Sequence, residues 1–369
     1  MRILVAFGTR PELIKLAPVV FELRRRPRRF ETILLSTAQH RGLLDQMFGA
    51  FGIRPDIDLD LMTSGQALAA LTAKVIAGTT RVLKRFRPGL FLVQGDTTTA
   101  MASALAAFYQ GIPVAHVEAG LRTNDPAHPF PEEINRRIIG ALAGVHFAPT
   151  STAARNLRRE GVPADRIFVT GNTVVDALRF MRPRIRRLPL PVPLEKGRRL
   201  VLVTAHRREN FGVPLENICR ALAALAARFE NIEIAFPVHP NPRVRAAVRR
   251  ILSGKPRIHL LDPLPYGPFL RLVEEADLIL SDSGGLQEEA PVFGAPLLVL
   301  RTVTERPEAV RAGGARVVAP ETRAILREAS LLLTDEAARR RMARVRSPFG
   351  DGRAAKRIVS ALASLFRPE

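Results

Sequence analysis

The sequence predicts an α/β protein with two domains, each built on a doubly wound parallel sheet. Three observations support this fold class: the chain has 369 residues, short apolar runs alternate with helical patterns over its whole length, and each apolar run is continuous. Continuous apolarity indicates strands that helices cover on both faces, whereas the residues of a half-exposed strand would alternate. The pattern therefore favours two parallel sheets, each enclosed between layers of helices.

The first half of the chain contains six apolar runs that we interpret as parallel strands. These predicted strands lie at 3–7, 32–35, 90–93, 114–117, 145–148 and 167–169. Helical periodicity lies between them at 13–25, 68–86, 99–109 and 131–143. We therefore assign residues 1–180 to an N-terminal Rossmann-like domain.

The second half repeats this alternation and predicts a second Rossmann-like domain over residues 200–353. Its predicted strands lie at 200–204, 232–236, 258–260, 278–281, 297–300 and 316–318, with helical patterns at 215–228 and 285–292. A last helix at about 354–369 is expected to pack back on the N-terminal domain. Because ligands of such sheets bind beyond the carboxyl ends of the strands, the two domains are expected to face each other across a central cleft.

Residues 181–199 are predicted to link the two domains. The segment carries four prolines, several arginines and no strand or helix period. Such a composition is typical of a stiff, charged linker.

The net charge of +21 suggests attraction to polyanions. The arginine runs, however, fall within amphipathic helix patterns, and no aromatic residues are interleaved with them as in nucleic-acid-binding surfaces. Solvated helix faces therefore explain the runs better than nucleic-acid contacts.

The cysteine content indicates the cellular compartment, and one uncharged stretch has to be considered as a membrane span. The single cysteine, Cys219, excludes an intramolecular disulfide and a thiolate metal cluster, and it suits a reducing, cytoplasmic setting. The uncharged stretch 97–117 is interrupted by a Gly-Ile-Pro turn, so we interpret it as a helix, a turn and a strand rather than a membrane span.

Two cations follow the first predicted strand, in the segment FGTRPELIK at residues 7–15. Arg10 and Lys15 lie at a helix N-terminus, where the helix dipole disfavours cations unless an anion joins them, so the pattern favours anion binding. The glycine fingerprint of dinucleotide-binding folds is absent, which argues against a nicotinamide cofactor. The histidines are scattered without metal-ligand spacing, so we expect neither a metal nor a cofactor.

Three carboxylates follow neighbouring predicted strands: Asp96, Glu118 and Glu132. Asp96 could simply cap the next helix, and Glu132 suits a first helical turn after Pro131. Yet all three are expected at one edge of the sheet. Carboxylates crowded in a partly desolvated site separate their pKa values, which provides one base and one acid.

The second domain carries anion-binding features after its own strands. His206 follows the first strand and is flanked by arginines, and Ser283-Gly284-Gly285 opens a helix after the fourth strand. Free backbone N–H groups at such a helix start can bind an anion. The Glu288-Glu289 pair could then reach a ribose diol.

Taken in order, these segments resemble the non-hydrolysing UDP-N-acetylglucosamine 2-epimerases. The similarity covers nearly the whole chain and rests on the motifs FGTRPE, TAQHR, GDTTT, HVEAGLRT, PEE, TAHRREN, DSGGLQEEAP and TERPE, which begin at residues 7, 37, 95, 116, 131, 204, 282 and 304. The resemblance implies a GT-B-like pair of domains with the nucleotide bound by the second one. It also implies a homodimer that interconverts UDP-GlcNAc and UDP-ManNAc without a nicotinamide, in polysaccharide biosynthesis.

By the same resemblance, UDP is eliminated to leave a bound 2-acetamidoglucal and is then added back. The implied catalytic residues are Asp96, Glu118, Glu132 and His206, and the implied substrate-binding residues are Arg10, Lys15, Phe269, Ser283, Gly284, Gly285, Glu289 and Arg306. A second, activating UDP-GlcNAc site is implied at Gln39, His40, Gln66 and Arg207. Relatives commonly carry an acid where this chain has Thr302-Val303, which is expected to loosen the positioning of Arg306.

Three other functions remain open on the sequence. A nucleotide-sugar glycosyltransferase would share the fold and the nucleotide loop, but three clustered acids suit proton transfer better than acceptor binding. A hydrolysing epimerase would release UDP. A nucleic-acid-binding protein is compatible only with the net charge. We therefore expect UDP-GlcNAc, UDP-ManNAc and UDP as ligands, and neither nucleic acid nor a membrane as a partner.

Overall fold

Two parallel sheets, one in each half of the chain, form the framework of the protein. The computed structural model describes residues 1–37, 41–61, 65–304 and 306–366. The chain divides into two units: unit 1 comprises Met1–Phe180 with Phe349–Glu369, and unit 2 comprises Met181–Pro348.

Unit 1 contains a parallel sheet whose strands are flanked by helices. Its strands are β1 Arg2–Phe7, β2 Glu31–Ser36, β3 Ile57–Asp58, β4 Leu90–Gln94, β5 Val114–Val117, β6 Val145–Ala148 and β7 Ile167–Val169. The helices up to the unit boundary are α1 Arg10–Arg24, α2 Arg41–Phe51, α3 Leu68–Phe86, α4 Thr98–Tyr109, α5 Glu132–Leu142, α6 Ser151–Arg159 and α7 Thr173–Ile185. The strand order is β3-β2-β1-β4-β5-β6-β7, so the chain runs to one edge, returns to the centre and continues to the other edge.

This sheet has one strand more than the sequence predicts. β3 is two residues long and pairs with the end of β2, Leu35 with Ile57 and Ser36 with Asp58. Its neighbours are Asp56 and Leu59, and Asp58 is its second residue, so no continuous apolar run predicts it. The expectation of six strands in this half is therefore wrong by one short edge strand.

Unit 2 contains the second parallel sheet, in the order β10-β9-β8-β11-β12-β13. Its strands are β8 Arg199–Thr204, β9 Ile232–Pro237, β10 Ile258–Leu261, β11 Leu278–Ser281, β12 Leu297–Leu300 and β13 Ala315–Val318. The helices are α8 Val213–Arg228, α9 Pro242–Leu252, α10 Tyr266–Glu275, α11 Gly284–Phe293, α12 Pro307–Arg311, α13 Thr322–Thr334 and α14 Glu336–Ala343, and α15 Ala354–Leu365 follows in unit 1. β11 and β12 are wholly buried, which agrees with their largely apolar sequences.

The start of the predicted linker is helical. Residues 181–185 form the last part of α7, although Pro183 lies among them. Met181 and Ile185, four residues apart, are both buried, so one face of this last turn packs into the protein. Tertiary burial thus outweighs the unfavourable helix propensity of proline.

The sequence predicts that the chain returns to unit 1 at about residue 354. In the structure it returns at Phe349, five residues earlier. The backbone N–H of Asn172 donates to the carbonyl of Phe349 at 2.6 Å, and Phe349 is buried. The Asp176 carboxylate then accepts hydrogen bonds from the first N–H groups of α15, on Ala354 and Ala355, at 3.2 and 3.0 Å. α15 packs against α1. A side chain of unit 1 therefore caps the C-terminal helix.

Candidate active site

The turn between β1 and α1 is held by a buried carboxylate. Glu12 Oε2 accepts hydrogen bonds from the backbone N–H groups of Gly8 and Thr9 at 2.9 and 2.6 Å. A Cβ on Gly8 would lie 2.2 Å from Thr37 Oγ1, so only glycine fits there. The helix begins at Arg10. Among the described residues, no carboxylate pairs with the Arg10 guanidinium. Arg10 is thus a partly buried guanidinium at a helix start, as the sequence predicts.

Glu12 also connects this turn to the next one along the sheet. Thr97 Oγ1 donates to Glu12 Oε1 at 2.7 Å and accepts from the N–H of Ala100 at 3.0 Å. Burial raises the pKa of Glu12, and the hydrogen bonds from Thr97 and the β1–α1 turn oppose that effect. Thr97, not Asp96, is therefore the residue that caps α4, and the capping explanation of Asp96 is wrong.

Asp96 is bound instead to α5. Its Oδ2 lies 2.8 Å from Nε and 2.7 Å from Nη2 of Arg136, and its carbonyl accepts from Asn135 Nδ2 at 2.9 Å. Arg136 is buried and also lies 3.3 Å from Glu133 Oε2. Sequence reasoning missed the role of Arg136, although an arginine one helical turn after Glu132 could have indicated it. The ion pair therefore orients the Asp96 carboxylate.

Glu118 adopts a backbone conformation that side chains rarely take. Its φ is +66°, directly after β5. Lys15 Nζ lies 2.7 and 2.6 Å from the two carboxylate oxygens, and Gln94 Nε2 donates to Oε2 at 2.8 Å. Strained positions of this kind persist where the surroundings hold them, and they cluster at functional sites. The structure therefore brings the predicted residues Lys15 and Glu118 into direct contact.

Of the two adjacent acids that begin α5, one has a structural role. Glu133 is fully buried and accepts the N–H groups of Thr123 and Asn124 at 3.0 and 3.2 Å. Burial raises the pKa of Glu133, but these hydrogen bonds and Arg136 outweigh it and lower the pKa overall. Glu132, the first residue of α5, is only partly buried. It therefore remains the better candidate for chemistry.

His116 on β5 supports the loop that carries Asp96. Its Nε2–H donates to the carbonyl of Gly95 at 2.7 Å, and Gly95 has a φ of +74°. Burial lowers the pKa of His116 to about 3, so the ring is neutral near pH 7. This histidine is a further residue whose role sequence reasoning missed.

In unit 2, an aspartate at the end of β11 holds the turn after β8. Asp282 is fully buried, and its Oδ2 accepts from the N–H groups of His206 and Arg207, each at 2.9 Å, and from Asn210 Nδ2 at 3.0 Å. His206 Nδ1 lies 3.3 Å from Asp282 Oδ1. The predicted His206 is thus anchored by an aspartate whose role the sequence did not reveal.

The predicted anion-binding loop forms the start of α11. Ser283 is the N-cap residue but makes no capping hydrogen bond with its side chain, and Gly284 and Gly285 form the first turn. A Cβ on Gly284 would lie 3.2 Å from Arg207 Nη2. Glycine therefore lets this guanidinium approach the helix start closely, in an arrangement that suits an anion.

The acids further along α11 have protein partners. Glu288 Oε1 lies 2.5 Å from Arg306 Nε, and Tyr266 OH donates to Glu289 Oε1 at 3.3 Å. This ion pair positions the Arg306 guanidinium beside α11. Phe269 lies on α10 and is partly buried.

The predicted activating site is described only in part. Gln66 precedes α3 in unit 1, and Arg207 follows His206 in unit 2; both are partly buried. Gln39 and His40 lie outside the described residues. Across the described ranges, no group of three or more His, Cys, Asp or Glu side chains is arranged to hold a metal ion. Nor does any described helix combine the length and apolarity of a membrane span.

Comparisons with known proteins identify the family to which the chain is similar. A family model described as UDP-N-acetylglucosamine 2-epimerase matches residues 22–363. A UDP-N-acetylglucosamine 2-epimerase of Salmonella typhimurium is 49% identical over 372 residues, which cover 99% of both chains.

Solved structures show the same similarity. A UDP-GlcNAc 2-epimerase from Neisseria meningitidis bound to UDP-GlcNAc has a TM-score of 0.93 and 43% identity, and the match covers 99% of this chain and 100% of that one. The UDP-GlcNAc 2-epimerase of Methanocaldococcus jannaschii in complex with UDP-GlcNAc and UDP has a TM-score of 0.83 and 32% identity, with coverage of 99% and 100%. With both the family model and these relatives matching over nearly its whole length, the chain belongs to the UDP-N-acetylglucosamine 2-epimerase family.

Proposed function

We propose that this chain interconverts UDP-GlcNAc and UDP-ManNAc through a bound 2-acetamidoglucal. The observation that carries the proposal is the pair of anchored carboxylates in unit 1, Glu118 with Lys15 and Asp96 with Arg136. A relative at 43% identity is solved with UDP-GlcNAc bound. Inversion at C2 of a sugar needs proton transfer on both faces of that carbon, and a set of acids at one sheet edge suits it.

The proposed reaction is an elimination followed by an addition. A carboxylate takes the C2 proton, the C1–O bond breaks with its electron pair leaving on UDP, and a C1=C2 double bond forms. In the return step, C2 receives a proton on the opposite face and a phosphate oxygen of UDP adds to C1. No net oxidation occurs, so the reaction needs no redox cofactor. Asp96, Glu118 and Glu132 are the proposed acid and base groups.

The anchoring of each carboxylate has a chemical purpose in this scheme. The Lys15 ammonium and the Arg136 guanidinium restrict the side chains of Glu118 and Asp96, so that these carboxylates are positioned without reorganisation. Glu132 makes a third carboxyl group available for the opposite proton transfer. The division of roles among the three acids is part of what mutation would test.

Unit 2 is proposed to bind the UDP part. The start of α11 offers backbone N–H groups at Gly284 and Gly285, and Arg207 approaches them closely. Helix N-termini of this kind bind phosphates well. His206 is proposed to contact the diphosphate, and Glu289, Arg306 and Phe269 the remainder of the nucleotide sugar. Neutralising the diphosphate is essential because it carries the charge that develops as C1–O breaks.

Incubation with UDP-GlcNAc in deuterated water tests the proposal. We expect UDP-ManNAc that carries deuterium at C2, formed without NAD or added metal, with the label detected by NMR and mass spectrometry. Unlabelled product, or activity lost on dialysis and restored by NAD, would contradict the elimination. Accumulation of free ManNAc and UDP would indicate a hydrolysing enzyme instead, and sugar transfer to an added acceptor would indicate a glycosyltransferase.

We also propose that the chain forms a homodimer through unit 1. Phe108 and Tyr109 at the end of α4 are 55% and 64% exposed, and Leu68 on α3 and Ile134 on α5 are exposed as well. α4 packs against both α3 and α5, so these apolar side chains belong to one group of adjoining helices. Exposed apolar surface of this kind favours association. Sedimentation at the mass of a single chain would contradict the proposal.

The predicted activating site is proposed to bind a second UDP-GlcNAc through Gln66 and Arg207, together with Gln39 and His40. The activity is proposed to be cytoplasmic, since the chain has one cysteine, and it is buried.

A further inference from the structure

The segment that follows β5 carries Glu118 at its start and is held at its far end by Arg122. The Arg122 side chain is 1% exposed, and its Nε and Nη2 donate to the two carboxylate oxygens of Glu160, each at 2.7 Å. Its remaining nitrogen, Nη1, donates to the carbonyl of Leu121 at 2.7 Å. A buried guanidinium bonded through all three nitrogens is held in one orientation, so Arg122 fixes the end of this segment to Glu160.

A second hydrogen bond joins the same segment to α6 one helical turn earlier. Asn156 Nδ2 donates to the carbonyl of Gly120 at 3.0 Å. Asn156 lies four residues before Glu160, so the two side chains lie on the same face of α6. A Cβ on Gly120, whose φ is +86°, would lie 2.3 Å from the carbonyl oxygen of Ala153, so the segment passes directly against the helix. Arg122, Asn156 and Glu160 together are called the α6 clamp.

The residues around the Arg122 guanidinium indicate that the clamp has a tertiary role. Glu160 is the C-cap residue of α6, where the helix dipole disfavours an acid. On the other side, α5 carries Gly140, although glycine has a low helix propensity. A Cβ at that position would lie 3.1 Å from Arg122 Nη2. The path of the guanidinium between the two helices explains both of these locally unfavourable residues.

The clamp lies close enough in the chain to control Glu118. Arg122 is four residues further along, and Glu118 itself has a φ of +66°. Such a backbone conformation persists where the surroundings hold it. The pairing of β5 with β4 fixes the backbone before Glu118, and the clamp fixes the backbone after it. The direction in which the Glu118 side chain leaves the backbone, and its contact with Lys15, therefore depend on the clamp.

We propose that Arg122, Asn156 and Glu160 are positioning residues for Glu118. By fixing the segment after β5 to α6, they hold the Glu118 carboxylate where it exchanges a proton with C2 of the sugar. The inference rests on the proposed function for this role of Glu118. The three residues act through Glu118 and are not themselves proposed to contact the substrate.

Glu160→Gln tests the clamp, with Asp351→Asn as the matched control. Asp351 also binds an arginine, Arg357, through two hydrogen bonds of 2.7 Å in the same unit. Each substitution removes the negative charge from one such pair. The N–H groups of Ala119 and Thr123 are hydrogen-bonded, so their exchange with solvent deuterium reports opening of the segment. We expect faster exchange there in Glu160→Gln and no change in Asp351→Asn, without substrate present, and unchanged exchange in Glu160→Gln would overturn the clamp.

Steady-state kinetics tests whether the clamp affects catalysis. We expect Glu160→Gln to lower kcat by about 10- to 100-fold, because misalignment of a reacting group by about 1 Å costs up to that factor. KM should change little, since the lost alignment acts on the chemical step. Asp351→Asn should leave both constants as in the unaltered protein. Equal losses of kcat in the two variants would overturn the inference.

Labelling in deuterated water tests whether the effect passes through Glu118. The ratio of C2 deuterium in recovered UDP-GlcNAc to that in UDP-ManNAc, at early times, compares proton transfer on the two faces. Displacement of one carboxylate slows transfer on one face, so we expect the ratio in Glu160→Gln to shift by up to the same factor as kcat. Partial unfolding lowers both labels in proportion and leaves the ratio unchanged. The ratio therefore separates positioning from a loss of folded protein.

Asn156→Ala provides a second variant that keeps the buried ion pair. It removes only the hydrogen bond to Gly120, and we expect a smaller shift of the label ratio in the same direction. An unaltered ratio in both folded variants would overturn the inference and leave the epimerase proposal intact. Absence of C2 label with the unaltered protein, together with faster exchange in Glu160→Gln, would contradict the proposed function and the role of Glu118 while the clamp itself stands.

Discussion

At the scale of single residues, the candidate site depends on cations that lie beside carboxylates. Lys15 contacts both oxygens of Glu118, and Arg136 contacts Asp96 through two nitrogens. Each pair is largely buried, where charge-assisted hydrogen bonds are stronger than at the surface. The cations thus orient the acids as well as balancing their charge. Removing one partner would leave a buried carboxylate without its counter-charge.

Arg136→Gln tests this view, with Arg137→Gln as the control. Arg136 is buried and holds Asp96, whereas the neighbouring Arg137 is 45% exposed and lies 3.5 Å from Glu133. We expect Arg136→Gln to lower kcat by about 100-fold or more, the range for loss of a positioned acid or base. Arg137→Gln should change it by less than about threefold. Steady-state rates of UDP-ManNAc formation measure both, and equal losses in the two variants would contradict the assigned role of Arg136.

At the scale of elements, neighbouring strand-to-helix turns are tied together by Glu12. This carboxylate accepts from the β1–α1 turn and from Thr97, which in turn caps α4. The turn that carries Arg10 and the turn that carries Asp96 therefore share one buried acceptor. Substitution of Thr97 should therefore destabilise both turns.

Thr97→Val is predicted to destabilise unit 1. The change removes the cap of α4, which costs about 1 kcal/mol. It also removes one hydrogen bond of buried Glu12, which costs a further 1–3 kcal/mol, roughly. Thr72→Val is the matched control, since the Thr72 hydroxyl bonds only within α3 on an exposed face. Urea unfolding followed by circular dichroism gives the difference, and similar losses for the two valines would refute the shared-acceptor explanation.

At the scale of the whole molecule, two buried histidines couple the stability of unit 1 to pH. Burial lowers the pKa of His116 to about 3 and that of His146 to about 4, against about 6.5 for the unfolded chain. Between those values the unfolded state binds more protons than the folded state, so acid favours unfolding. Stability from these groups is complete above about pH 6.5 and declines as the pH falls towards 4.

The corresponding prediction concerns the slope of stability against pH. We expect the free energy of unfolding to fall between pH 6.5 and 4, with each histidine contributing up to about 1.4 kcal/mol per pH unit. His116→Gln should reduce this slope, because it removes one of the two buried imidazoles whose pKa is lowered. Urea titrations at a series of pH values provide the measurement. A slope that His116→Gln does not alter would contradict the link.

The sequence alone determined the fold class, the central strands of both sheets and the segments that carry the site. Strands buried on both faces have continuous apolar sequences, so β5, β6, β11 and β12 were predicted with the bounds that the structure has. Motifs that follow such strands necessarily lie at one edge of the sheet. The family was also recognisable, since its ordered motifs survive in this chain.

Only the tertiary structure decided which side chains meet. The structure identifies four partners of site residues that the sequence did not: Arg136, Gln94, His116 and Asp282. Contacts between distant segments leave no local pattern in the sequence. The same holds for residues 181–185, where burial of one helix face outweighs the proline signal. Periodicity reports how a segment meets the core, whereas the pairing of polar groups depends on three-dimensional proximity, which a linear pattern does not encode.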